Sequence, residues 1–437
     1  MDDDDYRAWT RDALADAGLT HEDIEAWPDA NVHFEQLDRD ATSLDPLATR
    51  IETLESAHRL PGNRVFYLAV PPSVFPNTID RLGLAGLNKS PGWTRLVIEK
   101  PFGTDLASAH ELNDLVHHCF SEPQVYRIDH YLGKETVQNV LTFRFSNPMF
   151  EHLWNRDRVE SIEITVAEDL GIAGRAGYYE TAGALRDMVQ NHLTQVLTLV
   201  AMEPPVSFDA DQIRNEKVKV IEAIAPISTD DVVFGQYEAG SMAGEPVPAY
   251  RDEEGVDAES QTPTFVGLRL QIDTWRWQGV PFYLRTGKRL PRQLTQVAVT
   301  FRPPPLCIFH GARDGCDMAP NVLLITLQPD EGFTLRFSVK APGAPLTIES
   351  QELRFSHDDV YGPLPDAYQA LIQDVIEGDQ TLFVRGDEAE ASWRLYDQLL
   401  AGEHDLHPDT AGTWGPAVRN RSLALGGRFW TADDPAP

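Results

Sequence analysis

The chain has 437 residues, of which 42% are hydrophobic and 9% aromatic, so it is long enough for two folded domains and is not disordered. Its formal net charge of −31 argues against nucleic acid or an anionic membrane as a partner, because both would repel it. No apolar run reaches the roughly 18–20 residues that a membrane-spanning helix needs. The three cysteines have no metal-ligand spacing, and the acidic N-terminus is unlike a signal peptide. These features predict a cytoplasmic protein without a metal site.

The N-terminal third alternates between helices and strands. Helical spacing predicts helices over residues 5–19, 21–27 and 44–60. Apolar runs predict strands over residues 32–34, 64–70 and 96–98. The run over 64–70 is nearly continuous, which is typical of a strand buried on both faces of a parallel sheet. Two prolines end it, and Ser73 is the predicted cap of the next helix. A helix over 104–119 and a strand at residues 125–126 complete a pattern that predicts a doubly wound sheet, or a piece of one.

From about residue 128 the pattern changes to that of an α+β domain. One long helix fits residues 178–202. Strand-like runs without regular intervening helices follow over residues 265–272, 281–285, 297–301, 321–327 and 333–339. Runs of strands of this kind predict an antiparallel sheet. The acidic segment 237–264 is predicted to be a long loop, and two helices over 368–376 and 388–400 follow the strands.

One stretch, RIDHYLGKE over residues 127–135, places titratable side chains where a predicted strand runs into a predicted helix. Element ends are where α/β proteins build their sites. If the helix begins near Tyr131, then His130 and Lys134 share a helix face, since they are four residues apart. Together with the positive end of the helix, these three residues would form a socket for a phosphate. The alternative is a surface helix with a solvated lysine and a structural histidine.

RIDHYLGKE resembles the hallmark of the glucose-6-phosphate dehydrogenase family at all nine positions. Four further segments agree with that family in the same order: FYLAVPP over 66–72, IEKPFG over 98–103, AGYYETAGALRDMVQNHLTQ over 176–195 and GVPFYLRTGKRLP over 279–291. The resemblance implies an incomplete, truncated NADP-binding Rossmann-like domain over residues 1–127. It also implies a substrate-binding α+β domain over 128–437, whose large, mostly antiparallel sheet usually forms the subunit interface.

The cofactor half lacks its usual signature. A nicotinamide-dependent enzyme should begin with a strand, a glycine-rich turn and a helix that holds the pyrophosphate. The resemblance implies a GxxGDLA-type loop, and the sequence begins at about the helix where those elements should already have passed. The glycines at 171, 174 and 177 form a GxxGxxG, but its spacing departs from the dinucleotide motif and no second βαβ partner follows. We interpret it as a strand-to-helix turn.

Oxidation of a sugar at C1 needs a base that takes the hydroxyl proton while hydride leaves for the cofactor. His192 is the best candidate, because an imidazole titrates near neutral pH. The alternative for His192 is a structural histidine in a buried helix. The resemblance assigns Asp129 as the carboxylate that orients His192, in the manner of the aspartate of hydrolase triads.

The resemblance assigns substrate contacts to seven residues: Lys100, His130, Tyr131, Lys134, Glu168, Asp187 and Lys288. Lys100 would also contact the nicotinamide, and Pro72 is the other predicted cofactor contact. Asp187 precedes His192 by five residues, which is about 140° around an α-helix, so the two are not expected to share a face. The family commonly has a further basic residue five positions after Lys288, where this chain has Gln293, preceded by Arg292.

The resemblance therefore implies an NADP-dependent oxidation of D-glucose 6-phosphate to the 6-phosphogluconolactone. It also implies a homodimer or homotetramer formed through the C-terminal sheet. The missing glycine loop keeps a second hypothesis open, in which the chain is a non-catalytic or fragmentary relative. Such a relative would bind a sugar phosphate or pair with a full-length subunit. A dehydrogenase of a different sugar phosphate is a third hypothesis.

Overall fold

The computed structural model describes residues 1–27, 31–37, 43–306, 308–309, 319–343, 346–362, 366–402, 404–417 and 430–433. The chain forms two compact units, one of Met1–Leu96 with Leu115–Gln124 and one of Val97–Asp114 with Val125–Pro437. Within the described ranges, no helix is both long enough and apolar enough to cross a membrane.

The first unit contains helices α1 (Asp3–Asp16), α2 (His21–Ala26), α3 (Asp45–His58) and α4 (Phe75–Leu84), strand β1 (Arg64–Leu68), and the first part of strand β2 (Thr94–Ile98). Strand β1 lies beside β2. Because a helix connects these two strands, their pairing belongs to a βαβ unit, and this confirms the predicted alternation. A capping box between Asp2 and Asp5 begins α1.

Three local predictions for the first unit are wrong. Residues 32–34 form no strand, because the side chain of Asp3 accepts hydrogen bonds from His33 and from the backbone of Phe34. Strand β1 is not buried on both faces in this chain: Val65 is 40% exposed and Tyr67 37% exposed. Ser73 caps no helix, since it lies in a 3₁₀ turn over Pro72–Val74 and α4 begins only at Phe75.

The second unit is built on a large sheet. The unit as a whole contains the strands β3 (Val125–Ile128), β4 (Val159–Ala167), β5 (Val232–Glu238), β6 (Gly240–Met242), β7 (Glu245–Val247), β8 (Phe265–Gln271), β9 (Pro281–Gly287), β10 (Leu294–Phe301), β11 (Val322–Gln328), β12 (Gly332–Lys340), β13 (Ile348–Ser356), β14 (Phe383–Val384) and β15 (Leu406–Thr410), of which β3, β6, β7 and β14 are not part of the large sheet. In the described part of the chain, the sheet has the order β13-β12-β11-β10-β4-β9-β8-β5-β15. Its pairs are antiparallel except β4 with β9 and β5 with β15. The predicted mostly antiparallel sheet is confirmed.

The helices of the second unit are α6 (Glu135–Ser146), α7 (Pro148–Glu151), α8 (Ala176–Ala184), α9 (Thr194–Ala201), α10 (Ala210–Glu222), α11 (His357–Tyr361), α12 (Ala367–Glu377) and α13 (Gly386–Ala401), with α5 (Leu106–Cys119) shared between the units. The predicted loop over 237–264 contains the hairpin β6–β7. Strand β13 was not predicted, because its sequence is polar and most of its residues are exposed.

The predicted single helix over residues 178–202 is three segments. Helix α8 kinks at Gly183, whose φ of 56° and ψ of −179° are not helical. The next residue, Ala184, donates its backbone N–H to the carbonyl of Pro263 at 2.8 Å instead of continuing the helical ladder. Residues Leu185–Leu193 then form a π-helix, and α9 resumes the α-helical winding. The break matters, because a π-helix changes which side chains face the same direction.

The π-helix and α9 pack against the large sheet and form the main core with it. Val189 and Leu193 of the π-helix and Leu197 of α9 are fully buried. They belong to one cluster with Ile164 of β4 and Leu284 of β9. This packing fixes the π-helix beside the ends of the two central strands, where the site described next is located.

Candidate active site

The motif over residues 127–135 is a turn between β3 and α6. Helix α6 begins at Glu135, with Lys134 in the capping position, so the expected helix start near Tyr131 is wrong. The backbone N–H of Leu132 donates to the carbonyl of Asp129 at 3.0 Å, which closes the turn. The Asp129 side chain supports the same turn, since its Oδ1 accepts the N–H of Tyr131 at 2.9 Å. The turn itself therefore orients the Asp129 carboxylate.

Asp129 and His192 form a buried pair. Nδ1 of His192 lies 2.6 Å from Oδ1 of Asp129, and their side chains are 1% and 2% exposed. Burial alone would raise the pKa of Asp129, but the charge and hydrogen bond of His192 hold it below its ordinary value. Burial lowers the pKa of His192, with Lys100 acting in the same direction and Asp129 opposing both. The imidazole is therefore neutral at neutral pH, and its other nitrogen can accept a proton.

Two further rings surround His192. The Tyr131 ring stacks on it with centroids 4.3 Å apart, and the His130 ring meets it edge-on at 4.6 Å. Burial and the neighbouring His192 lower the pKa of His130 to about 3. Among the described residues, ligand atoms of Asp129, His130 and His192 lie within 4.8 Å of one another, as they could around a metal ion. The direct hydrogen bond between Asp129 and His192 favours an acid–base pair over this arrangement.

Lys100 contacts both ends of the π-helix. Its Nζ lies 2.6 Å from Nε2 of His192 and 3.5 Å from Oδ1 of Asp187. On an α-helix, Asp187 and His192 would lie on different faces, as the sequence analysis expected. That expectation is wrong, because the segment is a π-helix. A π-helix bonds residues five apart, which brings them to the same side. The hydroxyl of Tyr178, nine residues earlier in α8, donates to Oδ1 of Asp187 at 3.2 Å.

Glu168 and Lys288 emerge side by side from the two central parallel strands. Strand β4 pairs with β9 so that Ala167 lies opposite Gly287, and the next residue of each strand is Glu168 and Lys288. Their side chains form an ion pair at 2.8 Å, and the Lys288 side chain is 1% exposed. Nζ of Lys288 lies 5.1 Å from the ring centre of Tyr179. Carboxyl ends of adjacent parallel strands are a usual place for a ligand site.

Around Lys134 and His130 lie two groups that the sequence did not indicate, Gln328 and Tyr368. Its Nζ lies 2.6 Å from Oε1 of Gln328, at the end of β11, and 4.3 Å from the ring centre of Tyr131. The ring of Tyr368 stacks parallel to that of His130 with centroids 6.5 Å apart. Gln328 and Tyr368 are more than 190 residues from the motif that they contact, so no local signal could have revealed them. Tyr178 lies within the segment over 176–195 that resembles the family.

Three further sequence-based predictions concern Pro72, Arg292 and the glycines over 171–177. Pro72 belongs to the first unit, in the 3₁₀ turn that follows β1. Arg292, which precedes Gln293, donates to the carbonyl of Ala432 at 3.3 Å. The GxxGxxG over 171–177 spans the connection from β4 into α8, and the prediction of a strand-to-helix turn is confirmed.

Comparison with known proteins agrees with this geometry. The family model described as glucose-6-phosphate dehydrogenase, C-terminal domain, matches residues 141–431, and the one described as glucose-6-phosphate dehydrogenase, NAD binding domain, matches residues 1–139. Glucose-6-phosphate 1-dehydrogenase of Aggregatibacter actinomycetemcomitans is 45% identical over 88% of this chain and 78% of that protein. The same-named protein of Bacillus subtilis (strain 168) is 42% identical over 98% of this chain and 88% of that protein.

Solved structures show the same relationship. A structure of glucose-6-phosphate dehydrogenase in complex with its substrate glucose-6-phosphate superposes with a TM-score of 0.87 at 35% identity, and the match covers 99% of this chain and 89% of that chain. Glucose-6-phosphate 1-dehydrogenase from Mycobacterium avium superposes with a TM-score of 0.85 at 32% identity, with the same coverage. The chain therefore belongs to the glucose-6-phosphate dehydrogenase family.

Proposed function

We propose that the chain oxidises D-glucose 6-phosphate to 6-phospho-D-glucono-1,5-lactone with reduction of NADP. One observation carries the proposal: His192 is buried and oriented by Asp129, and its remaining nitrogen faces Lys100. In a member of this family, that arrangement is a base held ready for a sugar hydroxyl. The same geometry argues against a purely structural role for His192, because a structural histidine has no need of a lysine against its free nitrogen.

His192 is the base in this reaction. Its Nε2 takes the proton of the C1 hydroxyl, and Asp129 keeps the proton on Nδ1 and then stabilises the imidazolium that forms. NADP, when bound, accepts the hydride that leaves C1. Stacking of Tyr131 on His192 keeps the ring from rotating, so the basic nitrogen points in one direction. Fixed orientation is a large part of what positioned groups contribute to a rate.

Lys100 lies against the nitrogen of His192 that the C1 hydroxyl of the substrate has to reach. Its ammonium donates toward Nε2 of His192, so the C1 hydroxyl must replace that contact when the sugar binds. Lys100 also contacts Asp187, and these two charged groups would then orient the hydroxyl at C1. This is the basis for assigning substrate contacts to Lys100 and Asp187.

Two groups of residues are assigned to the rest of the substrate. His130, Tyr131 and Lys134 surround the turn after β3 and would bind the phosphate. Glu168 and Lys288 would bind sugar hydroxyls, since paired carboxylate and ammonium groups offer both an acceptor and a donor. On a chain with a net charge of −31, positive side chains at the site supply attraction that the overall charge does not.

We assign Lys100, which lies beside the base, to the nicotinamide end of NADP. Pro72 is assigned to the cofactor as well, with residues 1–127 as the cofactor domain and 128–437 as the substrate domain. Residues 1–63 carry glycine only at positions 18 and 62, so they offer no glycine-rich turn for the dinucleotide phosphates.

A second function is the alternative to this proposal. A relative without a competent cofactor site would bind a sugar phosphate without oxidising it, or pair with an active subunit. We assign such pairing, and a homodimer or homotetramer of this chain, to the large sheet. Its terminal strand β13 exposes Leu353 by 63%.

The two functions are separated by one assay. The purified chain is incubated with glucose 6-phosphate and either NADP or NAD, and formation of the reduced cofactor is followed by absorbance beside a His192→Ala variant. Turnover that disappears in His192→Ala supports the dehydrogenase. Saturable binding of glucose 6-phosphate without turnover supports the second function. Absence of both binding and turnover contradicts the two proposals alike.

A further inference from the structure

The π-helix over Leu185–Leu193 depends on hydrogen bonds from outside its own backbone. The carbonyl of Val189 accepts the hydroxyl of Thr194 at 2.6 Å. The carbonyl of Gln190 accepts the hydroxyl of Ser392, which comes from helix α13. Wide π-helical turns are uncommon and occur mostly at functional sites, so the groups that stabilise one are of interest. Here those groups are hydroxyls at fully buried positions.

Helix α13 supplies two of these groups from one face. Ser392 and Tyr396 are four residues apart, so they project toward the same side of the helix. The Tyr396 hydroxyl lies 2.9 Å from Oγ1 of Thr194. Because Thr194 uses its only hydroxyl proton on the Val189 carbonyl, Tyr396 is the donor in this contact. Ser392 therefore holds the Gln190 carbonyl directly, and Tyr396 supports the Val189 carbonyl through the Thr194 hydroxyl.

The same helix also holds the segment that carries Lys100. Trp393, next to Ser392, donates its indole N–H to the carbonyl of Phe102 at 2.9 Å. From the π-helix itself, Arg186 donates to the carbonyl of Thr104 at 2.8 Å. Helix α13 thus contacts both the segment that carries Lys100 and the π-helix that carries His192, whose side chains lie 2.6 Å apart. Ser392, Trp393 and Tyr396 are not among the residues assigned to substrate or cofactor.

We propose that Ser392 and Tyr396 are positioning residues for the base. They hold Leu185–Leu193 in its π-helical winding, which places Asp187 and His192 on one side and keeps Nδ1 of His192 against Asp129. Without them the turn relaxes toward α-helical winding, and His192 rotates relative to Asp129 and Lys100. The inference rests on the proposed function for its effect on turnover, but the geometry that it describes does not depend on activity.

The kinetic test uses Ser392→Ala and Tyr396→Phe, which remove one hydroxyl each. We expect kcat to fall by about 10- to 100-fold in each, as small misplacements of a catalytic group do, with little change in KM for glucose 6-phosphate. The control is Thr198→Val, because the Thr198 hydroxyl is equally buried and donates to the carbonyl of Gln195 at 2.7 Å, outside the π-helix. Lower thermal stability with kcat unchanged in Ser392→Ala and Tyr396→Phe would overturn the proposal.

A second readout is independent of turnover. The proton between His192 and Asp129 should give a strongly downfield NMR signal in the unmodified chain, identified by its absence in His192→Asn. We expect the signal to shift or disappear in Ser392→Ala and Tyr396→Phe and to persist in Thr198→Val. An unchanged signal in the first two variants contradicts the proposal, even if the unmodified chain proves inactive. If Ser392→Ala does not fold, Tyr396→Phe decides the question, since it keeps the ring in the core.

Discussion

Oδ1 of Asp129 receives two hydrogen bonds, one from Nδ1 of His192 at 2.6 Å and one from the backbone N–H of Tyr131 at 2.9 Å. The second bond lies within the turn after β3, so the backbone of the motif itself orients the carboxylate. His192 is thereby fixed to the end of a strand although it belongs to a helix 63 residues later in the chain.

Substitution of either member of the pair should abolish most of the turnover. His192→Asn removes the base, and we expect kcat to fall by about 10²- to 10⁴-fold, the usual contribution of a positioned acid–base group. Asp129→Asn should have a similar or larger effect, because an amide can donate to Nδ1 and favour the wrong tautomer. Steady-state kinetics on both variants, with circular dichroism to establish folding, measures this. Retention of wild-type kcat in folded His192→Asn would exclude it as the base.

Lys134→Met should weaken binding of the phosphorylated substrate. Loss of a charge-assisted hydrogen bond costs about 1.5–3 kcal/mol, so KM for glucose 6-phosphate should rise by about 10- to 100-fold. Glucose has no phosphate, and its kcat/KM should therefore change little. The matched control is Lys340→Met, since Lys340 is exposed and contacts only nearby carbonyls in the described chain. An equal loss with glucose and with glucose 6-phosphate would show that Lys134 does not act on the phosphate.

His130 should make the fold sensitive to acid. Burial and His192 lower its pKa to about 3, whereas an unfolded histidine titrates near 6.5. Between these values the unfolded chain binds a proton that the folded chain does not. The unfolding free energy therefore decreases as the pH falls through this range, by up to about 1.4 kcal/mol per pH unit. Urea unfolding of His130→Asn between pH 7 and pH 5 should show a smaller slope, with the exposed His152→Asn as control.

Gly183→Ala should destabilise the second unit. The φ of 56° and ψ of −179° at Gly183 belong to a region that is essentially restricted to glycine, at a cost of about 1–3 kcal/mol for other residues. An added Cβ would also lie 3.3 Å from Pro263. Gly177→Ala is the control, because Gly177 lies in α8 with nothing within 4 Å of an added Cβ. A thermal midpoint that falls in Gly177→Ala but not in Gly183→Ala would contradict this account of the kink.

The sequence determined the residue types at the site and much of the fold. Helical spacing predicted the helices α3, α12 and α13, and apolar runs predicted the strands β8 to β12, of which β8, β9 and β10 are largely buried. The motif over 127–135 indicated a site at the end of β3 and named Asp129 and Lys134. The sequence did not determine where α6 begins, since the turn depends on a hydrogen bond from Tyr131 to the Asp129 side chain.

Only the tertiary structure decided how the site residues face one another. The pairing of β4 with β9 sets Glu168 beside Lys288, and this register joins segments 120 residues apart. The π-helical winding that brings Asp187 and His192 to Lys100 has no periodic signature. It is stabilised by Ser392 and Tyr396, each 202 residues from the group that it contacts. Local sequence sets local propensity, whereas these hydrogen bonds exist only after distant segments have packed.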